Sequence, residues 1–138
     1  MAITPVKELV ERANALVDVW QPEEALQRQA GGDAVLVDIR DIRELERGGR
    51  VKDAVHAPRG MLEFWFDPSS PYYRDVFGNP EKTYVLFCAA GWRSALAAKA
   101  LVDMGFENIA HIDGGFGALK NTGAAIVDKD GSVWPSGE

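Results

Sequence analysis

Two short runs of consecutive apolar residues constrain this chain more than any other feature. Ala34-Val-Leu-Val-Asp-Ile39 and Thr83-Tyr-Val-Leu-Phe87 are too short for core helices and do not alternate polar with apolar positions. That is the pattern of strands covered on both faces. Such strands belong to parallel sheets, whose crossover connections lay helices on each side. Asn108-Ile-Ala-His-Ile112 reads as a third strand, and Val17-Asp-Val-Trp20 as a short fourth.

The segments between them carry helix signals. Residues 4–16, TPVKELVERANAL, offer Thr4 as a cap, Pro5 at the first helical position and Glu8 near a capping-box spacing. Val6, Leu9, Val10, Ala13 and then Leu16 or Val17 form an apolar stripe at helical period, suited to packing or to a dimer interface. Residues 21–30 start with Pro22 and two glutamates and stop at Gly31-Gly32. Asp41 to Arg47 reads as a short charged helix stopped by Gly48-Gly49, and Val51 to Ala57 has weak strand character. Met61 to Phe66 reads as an aromatic-rich helical turn, broken by Asp67-Pro-Ser-Ser-Pro71, after which a loop runs to Pro80. Its aromatics Phe64, Trp65, Phe66, Tyr72 and Tyr73 read as core or lid packing. Ser94 to Met104 is a helix closed by Gly105, and Asp113-Gly-Gly115 turns into a short helix over Phe116 to Lys120. The tail from Asp128 reads as loosely held. Strands alternating with helices over 138 residues predict one α/β domain with a mainly parallel sheet of about five strands and helices on both faces.

Charge and composition narrow the function. A net charge of −6 supplies no basic excess to neutralise phosphates, which argues against nucleic acid as a partner. No apolar run approaches the ~20 residues of a membrane span. The N-terminal segment lacks the basic start and apolar stretch of a signal peptide, so the expected location is cytoplasmic. One cysteine forms no internal disulfide and two distant histidines form no metal cluster; neither metal nor cofactor is expected.

That cysteine sits in Tyr84-Val-Leu-Phe-Cys-Ala-Ala-Gly-Trp-Arg-Ser-Ala-Leu-Ala-Ala-Lys99, where a buried strand ends and a helix begins. Ligands of parallel α/β sheets gather at the carboxyl ends of strands, and Cys88 falls there. Backbone N–H groups of a tight loop and a helix N-terminus favour a thiolate and any anion above it. Gly91 permits the positive φ of a sharp loop, Ala89 and Ala90 keep the cradle open, Arg93 adds a planar cation, and Ser94 donates to sulfur or an oxyanion. The loop is C-x4-R, one residue shorter than the C-x5-R loop of phosphotyrosine-type phosphatases. Its smaller cradle suits a terminal sulfur rather than a phosphoryl group.

These pieces make the chain similar to the single-domain rhodaneses, a family of sulfurtransferases. The resemblance runs over "VLVDIRDIRELERG" (35–48), "GRVKDAVHAPRG" (49–60), "VLFCAAGWRSALAAKALVDMGFENIAHIDGGFGAL" (85–119) and "TGAAIV" (122–127). It implies an N-terminal helical extension over 1–16, a rhodanese-like domain over 17–127 and a tail over 128–138. It further implies that Cys88 carries a persulfide and that Cys88 to Arg93 is the active-site loop. Asp38, Arg40 and Glu44 match the family's Asp-x-Arg and the following glutamate, and together with Arg59 they read as supporting residues. Asp38 in particular reads as a structural tie. Where the family pattern has Gly-His-Ile-Pro-Gly this chain has Gly49-Arg-Val-Lys-Asp53, which adds Arg50 and Lys52, two cations expected on the active-site side. His56 and His111 read as packed or surface residues rather than bases, and Trp92 as a residue facing the pocket entrance or a partner.

The expected activity is ping-pong sulfur transfer from thiosulfate or a persulfide, through Cys88, to a thiol, cyanide or a protein thiol, by a monomer or homodimer. Two alternatives remain at this point. One is a non-catalytic or carrier module for a protein partner; the other is a phosphatase or arsenate reductase on the related fold.

Overall fold

The computed structural model describes residues 2–135; Met1 and residues 136–138 of the expected tail lie outside them. In chain order the elements are α1 (Val6–Leu16), β1 (Asp18–Trp20), α2 (Pro22–Gly31), β2 (Ala34–Asp38), α3 (Ile42–Gly48), β3 (Arg50–Val51), β4 (Val55–His56), α4 (Leu62–Phe66), β5 (Thr83–Phe87), α5 (Trp92–Asp103), β6 (Ile109–Ile112), α6 (Gly115–Asn121) and β7 (Ile126–Val127). Short 3-10 turns lie at Arg59–Met61 and Asp75–Phe77. Five strands form one sheet in the order β1-β6-β5-β2-β4, every neighbouring pair parallel. The expected α/β architecture is the observed one.

The continuous apolar strands are continuous because each face has its own core. Val37 and Leu86 join Leu62 and Phe66 of α4 and Ala97, Ala98 and Leu101 of α5 on one side. Leu36, Val85 and Phe87 join Ala25 of α2 and Leu119 of α6 on the other. Helix α1 forms an outer layer, setting Val10 and Ala13 against Ala95 of α5. Only part of its predicted stripe is covered, for Val6, Leu9 and Leu16 are exposed. Phe66 stacks on Phe77 with centroids 4.3 Å apart and lies in the core, whereas Phe64 and Tyr72 form an exposed edge-on pair. The loop to Pro80 is pinned by Tyr84, whose hydroxyl donates to Val76 O at 2.7 Å.

Four local expectations change. Thr4 does not cap α1: the helix starts one residue later than that cap requires, Pro5 takes the N-cap position, and its carbonyl accepts from Glu8 N at 3.0 Å. Residues 51–57 are not one strand. A turn at Asp53, with φ of 66°, separates β3, which pairs antiparallel with β7, from β4 in the main sheet. The tail is held as far as it is described. Val133 bridges Val127, Trp134 N–H donates to Ile126 O at 3.0 Å, and the Trp134 ring lies over Gly49. Finally, α5 begins at Trp92 rather than Ser94, so Trp92 and Arg93 belong to its first turn.

Candidate active site

Strand β5 delivers Cys88 to the carboxyl edge of the sheet, and only Ala89, Ala90 and Gly91 separate it from α5. Gly91 is the N-cap, with φ of 121°, a region glycine enters without steric cost. The tight bend turns donors onto the sulfur. Gly91 N–H points at Cys88 Sγ from 3.1 Å, the Ser94 hydroxyl oxygen lies 3.6 Å away, and the backbone N–H groups of Ala90 and Ser94 also act on it. Burial pushes the thiol up, but the donors from Ser94, Gly91 and Ala90 together outweigh it, and the net effect favours the thiolate.

The loop is held from below by α6. Phe116 N–H donates to Cys88 O at 2.7 Å and Gly117 N–H to Ala89 O at 3.3 Å. This approach needs Gly115 to be glycine, because a Cβ there would stand 2.4 Å from Cys88 O; its φ of 59° also suits glycine. Arg40 lies behind the same contact. Its guanidinium stacks on Phe116 at 4.0 Å from the ring centroid, and it is gripped by Asp38, Nη2 to Oδ2 at 2.8 Å. Nη2 also donates to Gly49 O at 3.0 Å. Both side chains are buried, so Asp38 and Arg40 form a tie between β2, the α3–β3 turn and α6.

Arg93 is not a free cation. Its guanidinium meets Glu44 fork to fork, Nη1 to Oε2 at 2.8 Å and Nη2 to Oε1 at 2.9 Å. Glu44 is also the third residue of α3, where it closes a capping box with Asp41 by accepting from Asp41 N at 2.9 Å. The hydrogen bonds from Arg93 hold its carboxyl down to about 2, and the same partner raises Arg93 further above its ordinary value. A shallow depression of about 440 Å³ lined by Asp41, Arg43, Glu44 and Arg47 adjoins this pair.

The other candidates divide. Trp92 is 52% exposed on the first turn of α5. Arg59 reaches the carboxyl edge through its backbone, donating to Ile39 O at 3.1 Å, but its guanidinium pairs with Glu63 at 2.7 Å. Arg50 lines a separate groove with Trp134 and Asp130, and the Lys52 backbone N–H donates to Ala125 O beside the β3–β7 pair. His56 Nε2 lies 2.7 Å from Arg40 O. Among the described residues no cluster of three or more His, Cys, Asp or Glu side chains is placed to hold a metal ion.

Sequence reading missed a connection beneath the loop that runs from the buried Ser94 and His111 out to the exposed Asn14. Ser94 Oγ lies 3.0 Å from His111 Nδ1, and His111 Nε2 lies 2.6 Å from Asn14 Oδ1. In the parallel register of β5 with β6, Leu86 is the partner of His111, which puts the imidazole one pleat below Cys88. The one signal for this was the strand assignment of residues 108–112 itself. Nothing in residues 4–16 marks Asn14, and Phe116 could be placed only once α6 was seen to underlie the loop.

Comparison with known proteins agrees with this architecture. The model of the rhodanese-like domain matches residues 21–122, and the chain belongs to that family. It is 32% identical, over 73% of its length and 85% of the relative, to the thiosulfate sulfurtransferase GlpE of Pseudomonas syringae. It also aligns with a tRNA uridine(34) hydroxylase of Hamiltonella defensa, of whose length it spans 22%. Among solved structures, a protein of unknown function from Rhodopseudomonas palustris, described as a possible tyrosine phosphatase, is 43% identical with a TM-score of 0.84, covering 91% of this chain and 96% of that one. The polysulfide-sulfur transferase homodimer of Wolinella succinogenes is 32% identical with a TM-score of 0.66, covering 89% and 87%. No helix among the described residues is long and apolar enough to cross a membrane.

Proposed function

We propose that the protein moves a sulfane sulfur as a persulfide on Cys88. The observation that carries this reading is the buried sulfur at the end of β5 facing Gly91 N–H at 3.1 Å, inside a bend of three small residues. In the first step the Cys88 thiolate attacks the outer sulfur of the donor. The donor's S–S bond breaks and its electron pair leaves with sulfite, or with the thiolate of a persulfide donor. The new terminal sulfur carries negative charge, which the N–H groups of Ala90, Gly91 and Ser94 and the Arg93 guanidinium stabilise. An external nucleophile, cyanide or a thiol, then takes the outer sulfur and Cys88 leaves as thiolate. With Cys88 the only cysteine, that acceptor comes from outside the chain. Its retention as a thiol suits a reducing, cytoplasmic compartment.

The Arg93–Glu44 pair bears on the donor. A guanidinium whose charge is largely met by a carboxylate discriminates weakly for a dianion, so small persulfides belong beside thiosulfate as donors. The test is intact-mass measurement after incubation with each: one added sulfur on the wild type and none on Cys88→Ser. Equal labelling of both would overturn the assignment. Labelling without turnover to cyanide or small thiols would instead favour a carrier for a protein acceptor. Because of the likeness to a possible tyrosine phosphatase, aryl phosphate hydrolysis is assayed alongside, and hydrolysis lost in Cys88→Ser would replace this reading.

A further inference from the structure

Cys88, Ser94, His111 and Asn14 form one hydrogen-bonded chain from the sulfur to the outermost helix, spanning β5, α5, β6 and α1. Its order of donors follows from its far end. The Asn14 carbonyl oxygen has no proton to give, so His111 Nε2 carries the hydrogen and neutral His111 offers a lone pair at Nδ1. The Ser94 hydroxyl then donates to Nδ1 at 3.0 Å, a shorter contact than its 3.3 Å alternative at Gly91 O. With its proton turned that way, Ser94 Oγ presents a lone pair to Cys88, 3.6 Å from the large sulfur, and accepts S–H.

We propose that His111, oriented by Asn14, is a positioning residue that takes up the Cys88 proton through the Ser94 hydroxyl. The thiol then ionises within the protein. The transfer balances within the chain of groups. The S–H proton passes to Ser94 Oγ and the Ser94 proton passes to Nδ1. Cys88 is left a thiolate that accepts from Ser94, and His111 becomes an imidazolium donating at both nitrogens. No oxidant or further reactant takes part. His111 and Ser94 are buried, and burial holds the histidine down, so its resting form is the neutral acceptor that the relay needs. The charged groups around it are few. Asp113, just past its own strand, favours the imidazolium, and Cys88 follows the last residue of β5. Helix α5 contributes Ser94 and Arg93, which pairs with Glu44 and also favours the Cys88 thiolate. Helix α1 brings the neutral Asn14, and the register partners on β5 and β1 are Leu86 and Val19. The relay also gives α1, all of which precedes the matched residues 21–122, a role at the site.

This inference rests on Cys88 as the reactive group, but its test does not need sulfur transfer. The rate of Cys88 alkylation by iodoacetamide is followed against pH in the whole protein, with thermal unfolding as a check on folding. His111→Leu is expected to lose reactivity below neutrality by about tenfold, the equivalent of one unit in thiol ionisation. Asn14→Asp, which keeps the acceptor and adds charge to hold the imidazolium, raises acid-side reactivity; Asn14→Leu lowers it. A mere packing defect would move both Asn14 variants the same way. Coincident profiles for His111→Leu and wild type, or shifts of one sign for the two Asn14 variants, overturn the relay. Should His111→Leu fail to fold, the Asn14 pair decides alone. Persulfide formation that persists while the alkylation profiles coincide removes the relay and spares the sulfurtransferase reading. The reverse result removes that reading and leaves the relay.

Discussion

Glu44 holds Arg93 with both carboxylate oxygens, at 2.8 and 2.9 Å, and thereby joins the first turn of α3 to the first turn of α5. The cation that closes the Cys88 loop is therefore fixed in direction and reduced in effective charge. Glu44→Gln keeps the shape and removes the charge. For this variant the ratio of kcat/KM for thiosulfate to that for a neutral persulfide is expected to rise several-fold, about 1 kcal/mol of altered selectivity. An unchanged ratio would mean that Arg93 does not sense the donor.

The same pair has a pH signature. Glu44 is depressed from 4.5 to about 2 by its bonds from Arg93 and Asp41 N–H. A depressed carboxyl adds stability above its unfolded value and loses it as pH falls through the folded one. The wild type should therefore exceed Glu44→Gln in urea stability by roughly 1 kcal/mol at neutral pH, since the pair is partly exposed. That margin should shrink between pH 4.5 and about 2. A margin independent of pH in this window would place the effect elsewhere than in ionisation.

Gly115→Ala puts a methyl group 2.4 Å from Cys88 O and strains a backbone at φ of 59°. A loss of roughly 2–3 kcal/mol is expected, with α6 pushed from the loop and thiol reactivity lowered with it. Thermal unfolding and alkylation kinetics read the two effects. Wild-type values in both would show that the loop does not depend on this approach.

Asp53 adopts φ of 66° where the family pattern places glycine. Aspartate tolerates that region at some cost and glycine at little, so Asp53→Gly is expected to stabilise by roughly 0.5–1 kcal/mol and leave sulfur transfer unchanged. Chemical denaturation gives the sign directly.

Trp92 is half exposed and contributes little to the core. Trp92→Ala should alter stability by no more than about 0.5 kcal/mol and leave transfer to cyanide intact. Transfer to a bulky thiol should change. Parallel assays with the two acceptors decide whether the indole shapes access.

Much of this was legible in the chain itself. The unbroken apolar runs of β2 and β5 require helices on both sides, and the step from Phe87 through Cys88 to Gly91 requires a strand-to-helix bend, because these are local properties of side-chain period and backbone freedom. The polar ties at Asp38 and Arg40 could be anticipated as a pair but not placed, since the stacking on Phe116 spans distant residues. Thr4 lost its cap to a local choice, Pro5 taking that position, whereas the split at Asp53 and the tail around Trp134 were decided by partners far along the sequence, β7 on β3 and Trp134 over Gly49.

The sequence alone determined the sheet, the position of the thiol and the length of its loop, all of which follow from neighbouring residues. Only the tertiary structure decided what surrounds that thiol: Glu44 on Arg93, Gly115 beneath Cys88, and His111 with Asn14 behind Ser94. Those contacts join residues as far apart as 14 and 111, and chain separation carries no record of direction. Parallel register and helix packing set it, by placing β6 beside β5 in the sheet and packing α1 on α5 over the face that carries His111 and Cys88.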